Sequence, residues 1–420
     1  MMKVFIVFLR NLIIFLIIGF SLVGSSAIRT EAKTSVQDLT RRHEFNFVNW
    51  TSRAIFDKVI LKSLNIADYL SIDSQEKVIV NYLNNLRNLN EINYKIQLIY
   101  SNPFELDSEN RINELDITHE LLKKKDNAFK PLVEEILESQ IITVLLENQL
   151  AINGLPIPPL LFEISELPNN LIVSPKDRIE QIESVSLISQ FDIKDMENLE
   201  AMVDLELGLS SLVVPIGGLG TYPTMIGSSS SLPWLINAIV HEWIHNWLAF
   251  KPLGWNYGNS SELRTMNETT ASIVGSEIGI LVLEKYYPSD NIAIIQPENE
   301  SKVEIEMIDS NENQFIFSKE MYKTRIQVDS LLSIGKITEA EAYMETRRQV
   351  FWENGYYIRK INQAYFAFFG AYAEIPGGAT GTDPVGPAVR KLRDKSESLS
   401  EFLNTIASLS SFDELLVVIE

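Results

Sequence analysis

Apolar residues recur at three- and four-residue steps through the first third of the chain, at Ile60, Leu64 and Ala67 and again at Ile79, Leu83, Leu86 and Leu89. That spacing lines one face of a helix, so a helical region is expected over 38–150. Asn102-Pro103 punctuates it, and a further helix pair is expected over 112–124 and 131–146, the second opening at Pro131. Gly154-Leu155-Pro156-Ile157-Pro158-Pro159 then marks a boundary. Beyond it lie short β-prone runs at 161–164, 171–174 and 212–216, with helical spacing over 196–209. The last run enters Gly217-Gly218-Leu219-Gly220-Thr221-Tyr222-Pro223. This is either an ordinary glycine turn or an edge along which an extended peptide pairs by main-chain hydrogen bonds.

A serine cluster at 228–231 with Pro233 suits a helix start, and the apolar run 235–250 reads as that helix. A loop at 252–258 and a second helix over 261–286 follow. Runs at 303–307 and 314–317 around a polar pentapeptide suggest a hairpin, and the rest is helical apart from a loop at 376–384. The pattern predicts an α+β chain, mainly α, with a small β-sheet flanked by N-terminal and C-terminal helical regions. Its divisions fall at 1–27, 38–150, 151–290 and 291–420.

Composition narrows the chemistry. With 420 residues and 45% hydrophobic content, a large core is available. The 36 basic and 56 acidic residues leave a net charge of −20, which repels phosphate backbones and argues against a nucleic-acid partner. There is no cysteine, so disulfides and thiolate metal sites are excluded. Residues 4–23 are mostly apolar behind Lys3, with Arg10 inside them, and Ser25-Ser26-Ala27 supplies small residues. This suits an export signal or a membrane anchor, and places the remainder outside the cytoplasm, secreted or anchored by that segment.

Inside the apolar helix lies His241-Glu242-Trp243-Ile244-His245, an H-E-x-x-H pattern. Residues four apart project from one face, so both imidazoles can reach one metal ion with Glu242 beside it. In a chain with four histidines, chance supplies that arrangement roughly 0.003 times. A catalytic zinc needs one more protein ligand and an open fourth position. His43 and His119 lie in charged surroundings upstream and read as surface histidines, so the third ligand is expected to be a carboxylate: Glu262, Glu268 or Glu277. Glu268 and Glu277 point to opposite faces of a straight helix and cannot both serve.

At Asn267-Glu268-Thr269-Thr270-Ala271 the chain resembles the gluzincin metallopeptidases, in which a ligating Glu follows H-E-x-x-H on the next helix. The resemblance implies a zincin-like core with His241, His245 and Glu268 holding zinc and Glu242 as general base. Ser272 stands where the thermolysin-like branch carries Asp, so that branch's supporting role is not carried over. More broadly the chain is similar to bacterial aminopeptidase-like proteins, on the segment from Asn362 to Tyr372. The function expected is zinc-dependent hydrolysis of peptides, with aminopeptidase activity ahead of endopeptidase activity. The alternative is a membrane-associated, non-catalytic zinc-binding protein. Donors for the transition-state oxyanion are expected from Tyr365 and Tyr372, seven residues apart on one helical face, with Tyr222 a third candidate. Asn267 also opens an Asn-x-Thr glycosylation pattern, which should be unused if Glu268 is a ligand.

Overall fold

The computed structural model describes residues 31–64, 66–101, 108–151, 155–288, 315–371 and 384–420. The apolar segment 4–23 and the 303–307 run lie outside them, as does Tyr372. Among the described residues no helix is long and apolar enough to cross a membrane.

The described chain is mainly helical with two small sheets. Helices α1 (Glu31–Thr40), α2 (Phe47–Leu64), α3 (Ile72–Ser101) and α4 (Ser108–Glu147) form the N-terminal part. The expected break at Pro131 does not occur: α4 runs through it as one helix. Proline costs a helix interior about 3 kcal/mol. Burial of Val133, Ile136, Leu137, Ile141, Val144 and Leu145 outweighs that cost, since each large apolar side chain contributes about 1.5–3 kcal/mol.

Next come β1 (Phe162–Ile164), β2 (Asn169–Ser174), β3 (Glu183–Leu187), α5 (Ile193–Glu206), β4 (Ser210–Pro215), β5 (Gly218–Leu219) and β6 (Thr224–Ile226). One sheet has the order β3-β2-β4 and is antiparallel throughout. All six residues of β2 are buried because the sheet is covered on both faces. Leu171, Val173 and Val213 face α1 and α5, while Ile172, Leu212 and Val214 face the helices α9 (Phe317–Ser333), α10 (Ile337–Glu353) and α11 (Gln363–Phe369). The strand alternation is intact, yet both faces are apolar, which explains the uninterrupted hydrophobic runs. Of the expected second hairpin strand, Phe315 and Ile316 lie outside any strand and Phe317 opens α9.

The second sheet, β1-β6-β5, pairs β1 parallel to β6 and β6 antiparallel to β5. The outer side of β1 is closed by side chains instead of a strand. Glu138 accepts from the Phe162 N–H at 3.3 Å and Glu134 from the Ile164 N–H at 2.7 Å. Both carboxylates also accept from the buried Lys58 of α2, each at 2.8 Å. Burial disfavours a charged lysine, but the two carboxylates prevail and hold it protonated, its pKa raised above the ordinary value.

The remaining helices are α6 (Leu232–Leu248), α7 (Pro252–Trp255), α8 (Ser261–Tyr286), α12 (Val385–Lys395), α13 (Leu399–Ala407) and α14 (Phe412–Ile419). They share the largest core cluster with α3 and α4. The serine predicted to start α6 does so: the Ser231 hydroxyl accepts from the Trp234 N–H, and Pro233 lies in the first turn. α8 spans the expected 261–286 range and is capped by Ser260. α6 and α8 pack against each other at Gly275, where a Cβ would come within 3.0 Å of the Asn237 carbonyl oxygen. Glycine permits that approach without displacing the neighbouring backbone, and Glu268 lies on the same helix two turns before it.

Candidate metal centre

α6 buries Ile239, Val240, Trp243 and Ile244 on its core side, which turns His241, Glu242 and His245 to its half-exposed side. α8 has no such polarity: every residue from Leu263 to Ser272 is buried, including Arg264, Asn267, Glu268 and Ser272. Buried polar groups demand partners, and those of Asn267, Glu268 and Ser272 are found at one place.

His241, His245 and Glu268 form a cluster able to hold a metal ion. The Nε2 atoms of the two imidazoles stand 3.1 Å apart. Glu268 Oε2 lies 3.3 Å from His241 Nε2 and 3.5 Å from His245 Nε2. Ligands about 2.0–2.1 Å from a tetrahedral ion are separated by about 3.3 Å, the edge this triangle has. Glu268 Oε2 is buried and has no hydrogen-bond partner, an orphan that a cation would satisfy. Two nitrogens and one oxygen, with no thiolate in the chain, are a donor set suited to a borderline divalent ion.

The outer nitrogens are held as well. Asn267 Oδ1 lies 2.8 Å from His245 Nδ1, so an N–H there donates to the amide and leaves the Nε2 lone pair facing the cluster. Ser272 Oγ, at 3.3 Å from His241 Nδ1, performs the same service for the first imidazole. Asn267 is 2% exposed and committed to His245, so its glycosylation pattern is inaccessible, as the metal assignment requires.

The electrostatics agree with a cation site. Burial opposes charge on Glu268, but the imidazoles of His245 and His241 prevail and hold its carboxyl well below the usual carboxylate range. Burial also opposes charge on His245, but Glu268 pushes its pKa up to about 9. The cluster therefore favours positive charge, and a proton and a metal ion compete for it. Glu242 differs: burial is its largest influence and raises its pKa, despite the nearby histidines.

β5 passes directly over Glu242. A Cβ on Gly218 would stand 2.5 Å from Glu242 Oε1 and 2.6 Å from its Cγ, so a side chain there must displace the carboxylate. Gly218→Ala is accordingly expected to leave metal content unchanged and to lower any activity that depends on Glu242 by at least tenfold, since small misplacements of a reacting group cost about that or more. Steady-state rates with metal analysis check it.

Among the described residues, no hydrogen bond or ion pair joins the other candidates to the cluster. Glu262 is exposed, and Glu277 is held by Arg393 through two hydrogen bonds of 2.8 and 2.9 Å. His43 packs edge-on against Phe191, and His119 lies half-buried on α4. The Tyr222 hydroxyl donates to the Pro159 carbonyl. Tyr365 is buried in the core beside the β3-β2-β4 sheet, its ring against Phe366 and Phe369, and makes no hydrogen bond or ring contact with the three clustered side chains. Among the described residues, Tyr257 does reach the cluster, its hydroxyl donating to Glu268 Oε1 at 2.6 Å. It lies in the loop between α7 and α8; its adjacency in sequence to both motif helices was the available signal.

Comparison of the chain with protein-family models, curated proteins and solved structures finds no match.

Proposed function

We propose that this protein is a zinc-dependent peptidase, in which His241, His245 and Glu268 hold the metal and Glu242 is the general base. The observation that carries this reading is the near-equilateral triangle of two Nε2 atoms and an orphan carboxylate oxygen, with a second carboxylate beside it that belongs to none of its edges. A purely structural zinc closes four protein ligands and has no use for the extra acid. When bound, zinc supplies a Lewis acid that lowers the pKa of a water molecule toward about 7 and polarises a carbonyl.

The chain's own residues account for the remaining chemistry. Glu242, with its pKa raised by burial, is suited to take a proton from the attacking water and return it to the leaving amine. The absence of a side chain at Gly218 leaves room for the carboxylate beneath the strand, and among the described residues β5 lies at the end of its sheet. An extended substrate paired there would lie across the general base.

The test is hydrolysis of a fluorogenic aminoacyl amide and of an internally quenched peptide, each with and without a chelator, alongside zinc analysis. Chelator-sensitive cleavage of either substrate supports the reading, and the preferred one separates amino-terminal from internal cleavage. Stoichiometric zinc without cleavage of any peptide would turn the reading to the non-catalytic alternative. Glu268→Ala is expected to lower zinc occupancy severely, because it removes one of three ligands; full occupancy in that variant would refute the ligand assignment.

A further inference from the structure

The metal-ligand assignment leaves one contact unused, the short hydrogen bond from Tyr257 to Glu268. Resting on the zinc-site reading above, we infer that Tyr257 is a positioning residue that restricts Glu268 to a single ligating oxygen, Oε2, and thereby keeps a coordination position open for water.

The two oxygens of Glu268 have different surroundings. Oε1 receives the Tyr257 hydroxyl at 2.6 Å, a charge-assisted length. Oε2 has no hydrogen-bond partner and points between the two Nε2 atoms, 3.3 and 3.5 Å away. If both oxygens turned to the ion, the carboxylate would occupy two positions, and the one required for water in a catalytic site would be lost. The phenol prevents this by engaging Oε1.

Tyr257 is itself held in place. Its N–H donates to the Gly254 carbonyl, and Asn256 Nδ2 donates to the Pro252 carbonyl at 2.8 Å, closing the turn between α6 and α8. Its ring stands edge-on to His245, with centroids 6.3 Å apart. The turn that joins the two ligand helices therefore carries the group that orients the third ligand. A tyrosine that merely satisfied a buried carboxylate would not influence the geometry of the ion.

The experiment compares wild type and Tyr257→Phe by zinc titration and by the visible spectrum of the cobalt(II)-substituted protein. Wild type is expected to show the intense bands of a four-coordinate ion. Tyr257→Phe is expected to bind zinc about ten- to a hundredfold more weakly and to show the weaker bands of a higher coordination number. An unchanged cobalt spectrum in Tyr257→Phe overturns the inference, whatever the affinity. Failure of wild type to bind zinc or cobalt refutes the zinc-site reading instead, so the two failures are distinct. Should the Phe variant not fold, 3-fluorotyrosine placed at position 257 keeps the shape and the donor. Its fluorine resonance is expected to shift on addition of one equivalent of zinc, and an unmoved resonance overturns the inference.

Discussion

Glu242→Gln is expected to lower peptide hydrolysis by about two to four orders of magnitude, the contribution typical of a positioned general base, while zinc content stays at the wild-type level. Glutamine keeps the size of the side chain under Gly218, so the strand above it is undisturbed. It cannot take a proton, and Glu242 is no member of the His241-His245-Glu268 cluster. Activity and metal should therefore separate. Parallel loss of zinc would make Glu242 a ligand or a packing residue, and unchanged turnover would remove it from the mechanism. Rates with both peptide substrates, normalised to zinc content, decide between these outcomes.

A second large effect is expected far from the metal. Lys58→Met should destabilise the protein by about 3–5 kcal/mol, because it leaves two buried carboxylates without their cation. Lys58, Glu134 and Glu138 are each no more than 5% exposed, so water cannot substitute. The triple replacement Lys58→Met, Glu134→Gln, Glu138→Gln should recover most of that loss. It removes all three charges, while the amide oxygens can still accept from Phe162 and Ile164. Denaturant midpoints with unchanged slopes measure this; a single variant as stable as wild type would show that the ion network contributes little. The network also matters to the site, since β1 carries β6 and β6 carries the glycine strand over Glu242.

The readable and unreadable parts of the molecule differ in the range of the interactions that define them. α6 and α8 were legible because periodicity and serine caps act within a few residues, and Glu268 because its neighbour Asn267 carried a recognisable pattern. β2 and β4 were legible as continuous apolar runs, whereas β3, with Ser184 and Ser186 alternating with Val185 and Leu187, was too polar and too short to stand out. Pro131 obeyed its local rule in the sequence and was overruled in the fold by distant packing. Lys58 reads as a surface lysine because its two partners lie 76 and 80 residues away. Tyr257 sits in a turn, where no period distinguishes a functional side chain from a neighbour. The roles of Asn267 and Ser272 depend on which way two imidazoles face, and that is set by the α6–α8 crossing.

The closeness of the two ligand helices along the chain bears on the order in which the molecule forms. α6 and α8 are joined by a connection of about a dozen residues, so closing it costs little chain entropy compared with bringing α2 to α4. Contacts of short sequence separation form early in folding. His241, His245, Asn267, Glu268, Ser272 and Tyr257 all belong to this one helical hairpin. If the cluster holds an ion as proposed, binding would stabilise this one hairpin directly, since it carries every residue of the cluster.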